Sequence, residues 1–225
     1  VFPVNFKDAY TFAAVPTRYA LERKDWKAAS TLELNPADFP WNDFAWQRSI
    51  VSFGKVLGAV HLRDMTAAKA GLAELKANHA ILLKSEKNYE ANQVKIEIIA
   101  SEGWIQLLQG NKNEATRLMT EAATMEDATE KHPVTPGEVV PARELLGDML
   151  MEMKEYSRAL EAYEADLLRH PGRFNGLSGA GLAASKLGDT EKATIYFRQL
   201  ITSAQLSDKK RSDLAKAELF LRQPN

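Results

Sequence analysis

The residues best able to do chemistry in this chain are four histidines, a Gly-Ser-Gly run and a spaced set of carboxylates. His61, His79, His132 and His170 show no i, i+4 pair, the spacing that would put two metal ligands on one helix face. His132 has the richest surroundings, a loop holding Glu126, Asp127, Glu130, Lys131, Pro133 and Thr135. Carboxylates and an imidazole there could hold a hard cation or zinc, but the spacing matches no defined site, so no metal is expected. The run Gly176-Leu177-Ser178-Gly179-Ala180-Gly181 fails as a nucleophile elbow, because Ala180 stands where glycine must follow Ser178 by two positions. It fails as a phosphate loop because it lies within a helical pattern rather than after a strand. Glu144, Asp148 and Glu152 are spaced by four and form one stripe along a helix, a surface suited to a basic peptide or a cation. Cysteine is absent, which removes thiol catalysis, disulfides and Cys-ligated zinc. Nothing here makes a paired acid and base or a nucleophile triad, so neither an enzyme nor a cofactor is expected.

The elements that must position these residues follow from a repeat. Gly147 is answered by Gly181, Ala159 by Ala193 and Tyr163 by Phe197, each 34 positions later. A fixed period of that length predicts stacked helical hairpins, an all-α solenoid. Residues 141–153 and 156–169 read as one hairpin, ended by His170-Pro171-Gly172, and residues 173–187 and 190–204 as the next. Weaker matches at Gly103, Gly110, Ala115 and Ala122, then Ala68, then Trp26 and Ala29, extend the frame upstream. The expected hairpins are 7–34, 43–80, 88–125, 139–170 and 173–204, with an amphipathic capping helix over 208–222. The step from Gly103 to Gly147 is 44, so about ten residues beyond the repeat period interrupt the array between two hairpins. Prolines 133 and 136 and Gly137 forbid a continuous helix there.

These residues resemble the tetratricopeptide repeat (TPR) family. Leu146, Gly147, Tyr156, Ala159, Tyr163 and Pro171 match its pattern of large–Leu–Gly, aromatic, alanine, aromatic and closing proline. Gly181, Gly188, Ala193 and Phe197 match it again, while Asp166 and Leu200 replace a usual small residue and Gln205 the closing proline. The runs DATEKHPVTPG, PARELLGDML, VPTRYALERKDW and FPW also resemble a subset of longer bacterial TPR-containing proteins with no established biochemical activity. The resemblance implies a right-handed superhelix whose first helices line a concave groove for a peptide. Carried onto this frame, the groove positions are Glu144, Asp148, Met151 and Glu152, with Trp104, Leu107 and Leu108 on one side and Ser178, Leu182 and Lys186 on the other. The positions that clamp a C-terminal carboxylate in some TPR domains read Ala14 and Arg18, Phe53 and Leu57, Ala100 and Trp104, then Glu144 and Asp148. Only Arg18 has a suitable charge, so that mode is not expected.

Composition bounds the partner. The chain has 225 residues, 45% apolar and 26% charged, with a net charge of −1, which argues against a nucleic-acid binder. Residues 121–166 contain twelve acidic and four basic side chains, so that segment is −8 and the remainder +7. Such polarity can steer a basic partner or pair two copies of the chain. No apolar run approaches a membrane span, and residues 1–6 are too short and uncharged for a signal peptide. The chain begins without Met and reads as a processed protein or a piece of a longer array, from a bacterial cytoplasm or periplasm. The expected function is a protein- or peptide-binding scaffold using the groove and the 127–137 insertion. Alternatives are a homodimerising module and an accessory part of a larger enzyme or transport protein.

Overall fold

The computed structural model describes residues 4–130, 138–205 and 211–222. Among them the protein is all-helical, with no strand. The order is α1 (Phe6–Glu22), α2 (Trp26–Ser30), a single 3-10 turn (Trp41–Asp43), α3 (Ala45–His61), α4 (Met65–Lys84), α5 (Asn88–Leu108) and α6 (Lys112–Asp127). Then come α7 (Ala142–Glu152), α8 (Tyr156–Arg169), α9 (Phe174–Leu187), α10 (Thr190–Ser203) and α11 (Ser212–Arg222). The chain divides into two compact units, one up to Ala142 and one from Arg143 onward. That boundary follows the residues where the 34-residue period is lengthened. Lys131, His132, Pro133 and Thr135 lie outside the described residues, while Glu130 is exposed beyond the end of α6.

One turn geometry recurs through the array. Lys24, Arg63, Glu86, Gly110, Lys154 and Gly188 all have a left-handed backbone, with φ from 52° to 86°. In each case the next residue's N–H reaches back five positions, as Asp25 does to Ala20, Asn111 to Gln106 and Asp189 to Ala184. This is the Schellman closure, which satisfies carbonyls left over at a helix end and reverses the chain sharply. The following residue then starts the next helix; Asp25, Asp64 and Asp189 accept from the N–H three positions on.

In unit 1, α1 packs on α3, α3 on α4 and α5, and α5 on α6. The first helix of each hairpin is therefore beside the next first helix, forming a row α1–α3–α5. The first hairpin departs from expectation. Its second helix stops at Ser30, and residues 31–40 form an irregular linker whose Trp41 indole donates to the Pro36 carbonyl at 2.8 Å.

In unit 2 the repeat has a direct packing cause. A methyl placed on Gly147 would sit 2.6 Å from Tyr163 Cε1, and one on Gly181 would sit 2.5 Å from Phe197 Cε1. Each aromatic of a second helix thus lies flat over a glycine of its own first helix. The Tyr163 ring also presses on Gly179 of the next hairpin, so it is held between two glycines. Helix α11 closes this unit, with Leu214 and Ala217 buried and Phe220 5.1 Å from Phe197, ring centre to ring centre.

Candidate functional site

Two sets of polar side chains sit on first helices, and the units treat them differently. In unit 2, Glu144 is only 1% exposed, and Arg173 grips its carboxylate with Nε at 2.8 Å and Nη2 at 3.0 Å. The arginine precedes α9, so this bidentate pair ties one hairpin to the next. The Tyr163 hydroxyl donates to Asp148 at 2.6 Å. Burial first, and the Asp148 charge second, push the Tyr163 phenol well above its ordinary range. Two members of the expected acidic stripe thus cement the helices of unit 2. Glu152 is exposed and Met151 half-buried; of the residues on α9, Ser178 is buried and Lys186 exposed.

The row in unit 1 has the opposite character. Its ends are aromatic. Trp46, at the start of α3, lies 5.6 Å from both Phe6 and Tyr10 on α1 and 6.3 Å from Tyr89 on α5. His61, the last residue of α3, stacks on Trp26 at 3.7 Å and meets Trp104 of α5 at 4.6 Å. Contacts in this order mean that α3 and α5 run parallel, with about 22 Å of helix between the aromatic ends.

Along this row lie polar atoms that are buried and have no hydrogen-bond partner among the described residues. They are Thr17 Oγ1 and Arg18 Nε on α1, and Glu97 Oε2, Ser101 Oγ and Trp104 Nε1 on α5. The last three are at i, i+4 and i+7, so they share one face of α5. Burial with no compensating cation pushes the Glu97 carboxyl up to about 8, leaving it largely a neutral acid at pH 7. Native proteins seldom leave such groups unsatisfied, and five in one row call for an explanation.

The row is not open. Arg18 Nη2 donates to the main-chain carbonyl of Glu138 at 2.9 Å, a contact 120 residues apart in sequence. Val139 and Val140 are buried, 4% and 7% exposed, and the Ala142 N–H then donates to Glu126 Oε1 of α6 at 2.8 Å. Non-helical residues 138–141 therefore lead from α1 to the start of α7, where Ala142 meets α6. Burial raises the Tyr10 phenol first, with the Arg18 charge opposing the rise and the Glu97 and Glu138 charges adding to it. Trp104 is buried and Leu108 half-buried, as a groove wall under an occupant would be.

Comparison with protein-family models, curated proteins and solved structures found no match. Among the described residues no helix is long and apolar enough to cross a membrane. No cluster of three or more His, Asp or Glu able to hold a metal occurs among them either. A cleft of about 450 Å³ opens on the other side of α3, lined by Trp41, Arg48, Ser52, Lys55, Glu74 and Asn78. Its polar groups are already matched to one another: Arg48 to Asn78, and both Ser52 and Lys55 to Glu74.

Sequence reasoning singled out Trp104 and noticed Arg18 as the one charge in its register. It missed Glu97, because a glutamate on a helix reads as solvated.

Proposed function

We propose that this protein is a TPR-like α-solenoid that works by recognition, receiving an extended peptide across the first-helix row of unit 1. The observation that carries this reading is the seat of residues 138–142. A row that accepts a main-chain carbonyl on Arg18 and buries two consecutive valines has the shape and chemistry to accept such a segment from another protein. The TPR assignment draws support from the 34-residue glycine–aromatic packing and from the Schellman turn repeated between helices. Extended peptides suit such a row because main-chain groups supply hydrogen bonds while alternate side chains enter pockets.

In this reading the acidic stripe of α7 serves unit 2 itself, since Glu144 and Asp148 are engaged by Arg173 and Tyr163. The partner is then chosen by apolar side chains and main-chain contacts at α1, α3 and α5 rather than by a run of basic residues.

Panning a display library of extended peptides against the full chain tests the reading. Selected peptides should lose at least tenfold in affinity against Arg18→Ala and against Trp104→Ala, with little change against Glu152→Ala. Binders indifferent to Arg18 and Trp104 but abolished by Glu152→Ala would move the site to unit 2.

A further inference from the structure

We infer that residues 138–141 are a resident ligand of the unit 1 row, an internal competitor that an incoming extended peptide with two consecutive β-branched apolar residues must displace. The inference rests on the proposed peptide-binding function and adds what the ligand looks like and how access to it is controlled.

Three observations lead here. The segment is held as a bound peptide would be, by one carbonyl on Arg18 and by two buried valines, not by regular secondary structure. The row beside it keeps unsatisfied groups, since Glu97 Oε2, Ser101 Oγ and Trp104 Nε1 have no partner. A peptide presenting a hydroxyl or amide to those atoms would gain contacts that the resident segment lacks. Pro141 follows the valines, so the segment has no N–H there to anchor it further. Being tethered, it faces the row at an effective concentration in the millimolar range, enough to mask a site of moderate affinity.

A fluorescein-labelled peptide with the sequence of residues 136–143 tests this by anisotropy against the full chain. Wild type should bind weakly. Val139→Asp with Val140→Asp, which dislodges the resident segment, should bind at least tenfold more tightly, and adding Arg18→Ala should remove most of that gain. A double variant of unchanged helicity that binds no better than wild type overturns the inference. Should the double variant lose helicity, hydrogen exchange of wild type decides instead. Saturating peptide should speed exchange at the Val139 and Val140 amides at least tenfold, and unchanged rates overturn the inference. The two readings fail separately. A library peptide that binds wild type through Trp104 while leaving exchange at Val139 unchanged sinks the competitor and keeps the scaffold. If neither library peptides nor the 136–143 peptide bind even the helical double variant, both fall.

Discussion

Glu97 in unit 1 and Glu144 in unit 2 are carboxylates on first helices of successive hairpins, yet only Glu144 meets a cation. Arg173 takes Glu144 in a two-point grip, and Tyr163 takes Asp148 one turn further on. Along α5, by contrast, Glu97, Ser101 and Trp104 keep buried polar atoms without partners. Glu144 is fully buried, whereas Glu97 is half-buried with one carboxylate oxygen enclosed. The neighbours differ too: the start of the next helix, through Arg173, engages Glu144 in unit 2, whereas a non-helical stretch meets Arg18 of α1 and leads to Glu126 of α6 in unit 1. Polar groups under a permanent neighbour are matched to it, whereas groups under a replaceable occupant are matched to something else. On the proposed reading, unit 2 is a packed stack and unit 1 a stack that receives a peptide.

Breaking the pair in unit 2 should have the largest effect. Arg173→Ala leaves Glu144 charged and enclosed and should cost about 4 kcal/mol by urea denaturation. The double change Glu144→Leu with Arg173→Met should recover most of that, because it removes the charge along with its partner. Next comes the glycine packing: Gly147→Ala drives a methyl into the Tyr163 ring and should cost about 3 kcal/mol in the same assay.

In unit 1 the sign reverses. The Glu97 carboxyl titrates near 8 in the folded chain against 4.5 as the ordinary value, so the native state holds a proton that the unfolded chain releases. Stability therefore falls as pH rises from about 4.5 to about 8 and levels off above. Glu97→Gln removes that slope and should stabilise the protein at pH 8.5, with little change at pH 4.5. Thermal melts across that range check it; a variant equally displaced at both pH values would mean that Glu97 is not held neutral. The smallest effect is expected from Tyr163→Phe, about 1 kcal/mol for one hydrogen bond whose ring packing survives.

These pairs also show what can be read from a chain and what cannot. Gly147 with Tyr163 was legible because a missing side chain and a large ring at fixed spacing are complementary within one hairpin, and the same spacing returns at Gly181 and Phe197. Gly110 and Gly188 marked their turns for a local reason, since glycine adopts a left-handed backbone freely. Lys24, Arg63, Glu86 and Lys154 make the same turn without that signal, their strain offset by the hydrogen bonds that close each helix end. The early end of α2 was hidden too, because residues 31–34 continue a helical pattern that the linker overrides. At the site, the carboxylate stripe of α7 was visible as a stripe. Whether it faced a groove or a neighbour depended on Arg173, 29 residues from Glu144. Glu97 was invisible, because a lone glutamate in a helical pattern carries no sign of the surroundings that enclose its carboxylate oxygen in the fold.

The most direct test of unit 1 as the receiving face uses the uneven placement of two residue types. All four tryptophans, at 26, 41, 46 and 104, belong to unit 1, whereas Met149, Met151 and Met153 belong to unit 2. A bound peptide selected from the library can be followed by its shifts of the indole N–H and methionine methyl resonances in one titration. The Trp104 indole should move strongly, because its Nε1 gains the hydrogen-bond partner it now lacks, while the Met151 methyl stays in place. A moving Met151 methyl beside an unmoved Trp104 indole would contradict the account.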